Sequence, residues 1–104
     1  MAIEMETAVL VLPDWCDERA AFEIPLKGWF DGARVRLADG ACYPIFFYDP
    51  IRLGQDLVEN TRLGRPFIAE PNLIVLPEVT ESAMRAAVEE LARQGFFQQL
   101  KPLP

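Results

Sequence analysis

The heptapeptide Pro44-Ile45-Phe46-Phe47-Tyr48-Asp49-Pro50 decides how this chain folds. It is apolar or aromatic at every position but Asp49, so it reads as a strand that needs cover on at least one face. Asp49-Pro50 then turns the strand into a helix with no intervening loop. The Asp carboxylate accepts from first-turn N–H groups that have no other partner, and Pro at the first helical position gives up a donor the helix does not use.

Upstream of this strand, Asp39-Gly40 is a strong signal for a two-residue type I′ hairpin. That turn sets Leu37 opposite Cys42, Arg36 opposite Tyr43 and Val35 opposite Pro44. Arg34 and Arg36 then share a face with Tyr43, Ile45 and Phe47, while Val35 and Leu37 share the other with Cys42, Pro44, Phe46 and Tyr48. The arginine stems can cover the aromatic rings, Arg36 on Tyr43 in particular. Alternatively this half-polar face is where a second copy or another protein docks, with Phe47 at its centre.

Earlier still, Ala8 to Leu12 is a continuous β-rich run, expected to be covered on both faces or central in a sheet. Phe22-Glu23-Ile24-Pro25-Leu26 alternates with period two, and Pro25 argues for an edge strand. Trp29-Phe30, between Lys27-Gly28 and Asp31-Gly32, reads as a turn before the strand Ala33 to Leu37.

Downstream of Asp49 the period changes to that of a helix. Ile51, Leu53, Leu57 and Val58 fall on one side with Gly54 and Thr61, and Gly64 and Pro66 end the segment. Phe67 to Ala69 and Leu73 to Leu76 flank the turn Glu70-Pro71-Asn72 and predict two short strands. Thr80 caps a last helix over residues 81–94, with Ala83, Met84, Ala87, Val88, Leu91 and Ala92 on one face. The tail 98–104 has no periodicity and is expected to fray, although Leu100 and Leu103 can dock. The whole reads as a single α+β domain over residues 1–104: four strands, helix, two strands, helix, in a mainly antiparallel sheet with two amphipathic helices on one face.

The chain has 104 residues, long enough for one core without disulfides or metal. Hydrophobic residues make up 51% before glycine is counted, a modest excess that points to efficient packing or to an apolar patch covered by a partner. Sixteen acidic against ten basic residues give a net charge of −6. Phosphate neutralisation by Lys and Arg carries most nucleic-acid affinity, so an acidic chain with no basic run argues against nucleic acid and against anionic membranes as partners. A basic protein surface fits better.

The N-terminus Met1-Ala2-Ile3-Glu4-Met5-Glu6 places Glu where a secretory signal needs Lys or Arg, and no transmembrane run follows. The expected setting is the cytoplasm, with Cys16 and Cys42 reduced and structural.

The reactive inventory is thin. The chain contains no His, which removes the usual general base, the commonest transition-metal ligand and the middle member of a nucleophilic triad. Ser82 is the only serine and sits in a first helical turn, Lys27 and Lys101 are the only amines, and no glycine-rich phosphate loop precedes a helix. No cofactor is expected. Carboxylates remain, and Asp49 with Glu70 or Glu78 can converge at strand ends.

The densest polar cluster is Asp14-Trp15-Cys16-Asp17-Glu18, three carboxylates around a Trp and a Cys. It reads either as a grip for a cation or a basic partner, or as an acidic loop leading into a short helix. The candidate partner-binding residues are Asp14, Trp15, Asp17, Glu18, Trp29, Phe30, Arg34, Arg36, Tyr43 and Phe47. They suggest a small acidic interaction or regulatory module, of inhibitor or immunity type, that binds a protein partner or itself as a homodimer. The alternative is a carboxylate-based domain for a small ligand, or a minor enzyme.

Overall fold

A computed structural model describes residues 8–104; the reading of Met1 to Glu6 therefore lies outside the described residues. The chain runs β1 (Ala8–Val11), α1 (Glu18–Lys27), β2 (Trp29–Leu37), β3 (Cys42–Tyr48), α2 (Pro50–Arg62), β4 (Leu73–Val75), α3 (Glu81–Arg93) and a 3-10 turn, Phe96–Gln99. The strands form one sheet in the order β1-β2-β3-β4, antiparallel except for the β3–β4 pair. The fold is α+β with a mainly antiparallel sheet, as the sequence indicates. Among the described residues no helix is long and apolar enough to cross a membrane.

The strand-to-helix junction forms as its residues dictate. Asp49 Oδ1 accepts from Arg52 N at 2.7 Å, and Pro50 opens α2. The hairpin before it does not. Leu37 O accepts from Gly40 N and Ala41 O accepts from Leu37 N, both at 2.9 Å, so the loop is Ala38-Asp39-Gly40. A type I′ turn needs positive φ at both central residues, and among the described residues only glycines have it. Asp39 instead turns its carboxylate onto Ala41 N at 2.9 Å, and Gly40 takes the left-handed position.

The extra loop residue shifts the register by one. Arg36 now faces Cys42, Val35 faces Tyr43 and Ala33 faces Ile45. One step exchanges the two faces. Val35, Leu37, Tyr43, Ile45 and Phe47 form the core face with Leu10 of β1, while Arg34 and Arg36 lie exposed on the other. The expected stack of Arg36 on Tyr43 is absent. Tyr43 lies instead against Phe97, ring centroids 6.3 Å apart.

Met84, Val88 and Ala92 of α3 and Phe97 beyond it close this core, joined by Ile24 of α1. α2 does not join them. Its side chains that reach the sheet meet Tyr48 and Trp29, which pair with each other on the face opposite the core. The helices thus do not share one face of the sheet.

Four further expectations are corrected. Residues 22–26 are helical, because Asp17 caps α1 through Ala20 N at 2.9 Å, Gly28 ends it at φ 74°, and Pro25 falls in the last turn. β1 is an edge strand, not a central one. Trp29-Phe30 belongs to β2, which absorbs Asp31-Gly32 as a bulge between Phe30 and Ala33. Residues 67–69 form no strand; the open edge of β3 is instead satisfied by Asn72, whose side-chain N–H donates to Pro44 O at 2.9 Å, and by the tail, where Leu103 N donates to Cys42 O at 2.7 Å.

Candidate functional site

The loop after β1 is wound tightly. Pro13 O accepts from Cys16 N at 2.9 Å and Trp15 O from Asp17 N at 3.1 Å. This drives Cys16 against the core and throws Trp15 outward, 62% exposed. Trp15 does not hang free, since its ring stacks on the buried Phe30 with centroids 5.6 Å apart and planes 23° apart.

Beside this stack, α1 presents Ala20, Glu23, Ile24 and Lys27, an i, i+3, i+4, i+7 row. Row, stack and the start of β2 enclose a cleft of about 440 Å³, within the size range of small-molecule and side-chain pockets. Its floor is apolar, from Ile24, Ala20 and the aromatic rings. Its rim carries Asp17, Glu23 and Asp31 against Arg19 and Lys27. Arg19 Nε lies 3.4 Å from Glu23 on the helix surface, an exposed pair of little strength.

Four of the sequence candidates therefore converge: Trp15, Asp17, Trp29 and Phe30. Asp14 and Arg34 line the neighbouring groove beside Pro13 and Gly32, and Glu18 is exposed in the first turn of α1. Arg36 stands apart on the open face of the sheet. Tyr43 and Phe47 are in the core, so neither offers a partner any surface. Sequence reasoning missed Ala20, Glu23, Ile24 and Lys27. Their signal was available as helical spacing between an N-cap Asp and a C-terminal Gly, and the assignment of residues 22–26 to a strand concealed it.

A second, smaller hollow of about 260 Å³ lies between β3, α2 and the segment before β4, with Asp56, Glu59 and Glu70 around Phe46 and Tyr48. Tyr48 OH donates to Asp56 Oδ2 at 2.6 Å, Asp56 Oδ1 accepts from Arg52 Nε at 3.1 Å, and the Arg52 guanidinium lies 5.8 Å from the centroid of the Trp29 ring. Burial, and then the bond to Asp56, push the Tyr48 hydroxyl up to about 12.

A raised folded-state pKa favours the protonated form, so its contribution to stability is complete below the unfolded value and is lost as pH rises through the folded one. The window is from about pH 10 to about pH 12. We expect stability measured by urea unfolding to fall across it, and the Tyr48→Phe protein to lose that component of the slope. Equal slopes in the two proteins would show that the hydroxyl is not held by Asp56.

Glu70 lies in this hollow and Asp49 caps α2 beside Gly28, so these two carboxylates, which the sequence allowed to converge, serve different places. Burial, followed by the charges of Glu81 and Asp17, raises the Cys16 thiol pKa, which disfavours the nucleophilic thiolate. Among the described residues no group of three or more His, Cys, Asp or Glu is arranged to hold a metal ion.

No family model, curated protein or solved structure matches this chain. The site therefore rests on its own chemistry: an apolar cleft beside a fixed, exposed indole, with three carboxylates and two basic side chains around it.

Proposed function

We propose that the protein is a small interaction module that binds a segment of a partner protein in the cleft between α1 and the start of β2. The observation that carries this reading is Trp15, exposed yet held by its stack on Phe30. A large amphipathic ring fixed before binding loses little conformational freedom when a partner covers it, and such residues dominate binding energy at interfaces.

The rim favours a particular segment. Three carboxylates, Asp17, Glu23 and Asp31, outnumber Arg19 and Lys27 around the opening, and Asp14 and Glu18 lie beside it in the chain, on a protein of net charge −6. An aromatic or apolar side chain on the cleft floor, with Lys or Arg next to it, matches both the floor and the rim. Cys16 and Cys42 are free, which supports a reducing, cytoplasmic setting.

The carboxylate-ligand alternative has less support. In the smaller hollow Asp56 is already held by Tyr48 and Arg52, and Glu59 is paired with Arg62 at 2.8 Å.

Selection from a displayed random-peptide library tests the proposal. We expect peptides that combine an aromatic residue with Lys or Arg, shift the Trp15 indole N–H resonance, weaken with salt, and bind Trp15→Ala at least about tenfold less well. Peptides that bind Trp15→Ala as tightly as the parent would overturn the assignment.

A further inference from the structure

α2 turns part of its apolar side, Ile51 and Val58 above all, outward. Arg52, Leu53, Asp56 and Asn60 are its less exposed residues, while Ile51 is 74% and Val58 69% exposed and no α2 side chain is buried. Two contacts enforce this orientation, Asp56 to the Tyr48 hydroxyl and Arg52 to the Trp29 ring. Past the end of the helix Leu63 and Phe67 are also exposed, 61% and 63%.

Gly54 lies in the middle of this stripe. Glycine weakens a helix interior relative to alanine, and it is tolerated where a positive φ or a close neighbour requires it. Gly54 has neither: its φ is not positive, and a Cβ placed there meets nothing within 4 Å. Among the described residues nothing accounts for the missing side chain. A partner that approaches the helix backbone closely would account for it.

We propose that α2 packs antiparallel against α2 of a second copy of this chain, about a twofold axis that brings Val58 of each protomer over Gly54 of the other. The face supplies both halves of such a contact. Gly54 is a gap and Val58, one turn on, is a knob, so a twofold rotation seats each in the other and sets Ile51 against Thr61. The stripe formed by Ile51, Gly54, Leu57, Val58 and Thr61 carries no charge, so two protomers of net charge −6 meet without opposing acids at the contact. Antiparallel helix dipoles also attract.

Fully covered, Ile51, Leu57, Val58, Leu63 and Phe67 would together remove on the order of a few hundred Å² from water in each protomer. That is of the order of the largest apolar patches found on soluble monomers, which are often functional, and it approaches the roughly 600–800 Å² per partner of a small stable interface.

Sedimentation equilibrium from micromolar to millimolar protein tests this. We expect a concentration-dependent rise to twice the protomer mass of 11.8 kDa, and a protomer mass throughout for Val58→Glu with unchanged circular dichroism. Gly54→Ala gives opposite signs in two measurements: it raises the melting temperature of the dilute protomer and raises the dimer dissociation constant at least about tenfold. Trp15→Ala leaves the mass unchanged, because the cleft is a separate surface. A protomer mass at every concentration, a dimer that survives Val58→Glu, or a Gly54→Ala protein that associates as well as the parent would each overturn the proposal.

Discussion

Phe47→Glu is expected to abolish cooperative folding. Phe47 is fully buried at 0% exposure, on the strand that pairs with both β2 and β4, with Phe30 and Ile74 as its neighbours across the sheet. Truncating such a ring to alanine costs about 3–5 kcal/mol. A carboxylate in the same place adds either the desolvation of an unpaired charge or the work of keeping it protonated. Small domains have only about 5–15 kcal/mol in total, so the substitution removes most or all of it. Near-UV circular dichroism should show no fixed aromatic environment, and urea should give no sigmoidal transition. Arg36→Glu, one strand away on the open face, should shift the transition by no more than about 0.5 kcal/mol. A folded Phe47→Glu protein would mean that the shifted hairpin register is wrong.

That pair of substitutions separates the register expected from Asp39-Gly40 from the one the chain adopts. Both two-residue and three-residue loops use Asp-Gly, so the turn residues alone do not choose between them. Hydrophobic pattern normally decides, because a slip of one residue turns apolar side chains to water. Here it was silent: Tyr43, Ile45 and Phe47 on one side of β3 and Phe46 and Tyr48 on the other are all apolar or aromatic. The strand most visible in the sequence was for that reason the one least able to report its own orientation.

Helix polarity was legible to a different depth in each helix. In α3 the apolar row Met84, Val88 and Ala92 is the buried row. In α2 the row was found but its cover was not, since periodicity locates an apolar side and says nothing of what lies over it. α1 was lost because its five-residue core, Phe22 to Leu26, satisfies a period of two as well as a helix. Phe22 and Leu26 stand one turn apart on the solvent side while Ile24 alone turns inward. The candidate site inherits this division. Its loop residues stood out by type, whereas its helical wall depended on an element that Pro25 disguised.

The second large effect concerns the point where α1 hands over to α2. Gly28 closes α1 at φ 74°, and a Cβ built on it comes within 2.6 Å of Asp49 Oδ2. The same carboxylate caps α2 through Arg52 N, and Asp49 N donates to Gly28 O at 2.8 Å. Gly28→Ala therefore acts twice. It places a side chain in the left-handed region, at about 1–2 kcal/mol, and it expels the carboxylate from its cap, at about 0.5–2 kcal/mol. We expect a loss of about 1.5–4 kcal/mol by urea denaturation.

Asp49→Ala alone should cost about 1 kcal/mol through the cap. Combined, the two should cost less than their sum, because removing the carboxylate relieves the contact that the new Cβ makes and leaves only the backbone penalty. A coupling of about 1 kcal/mol is expected from such a cycle. Strict additivity would show that Asp49 moves aside freely and that the glycine is needed for its φ alone. The coupling reaches beyond stability, since the same two residues fix where α1 stops and α2 starts. The wall of the Trp15 cleft and the outward stripe of α2 both depend on that geometry, so Gly28→Ala should weaken peptide binding and self-association together, which no single substitution within either surface should do.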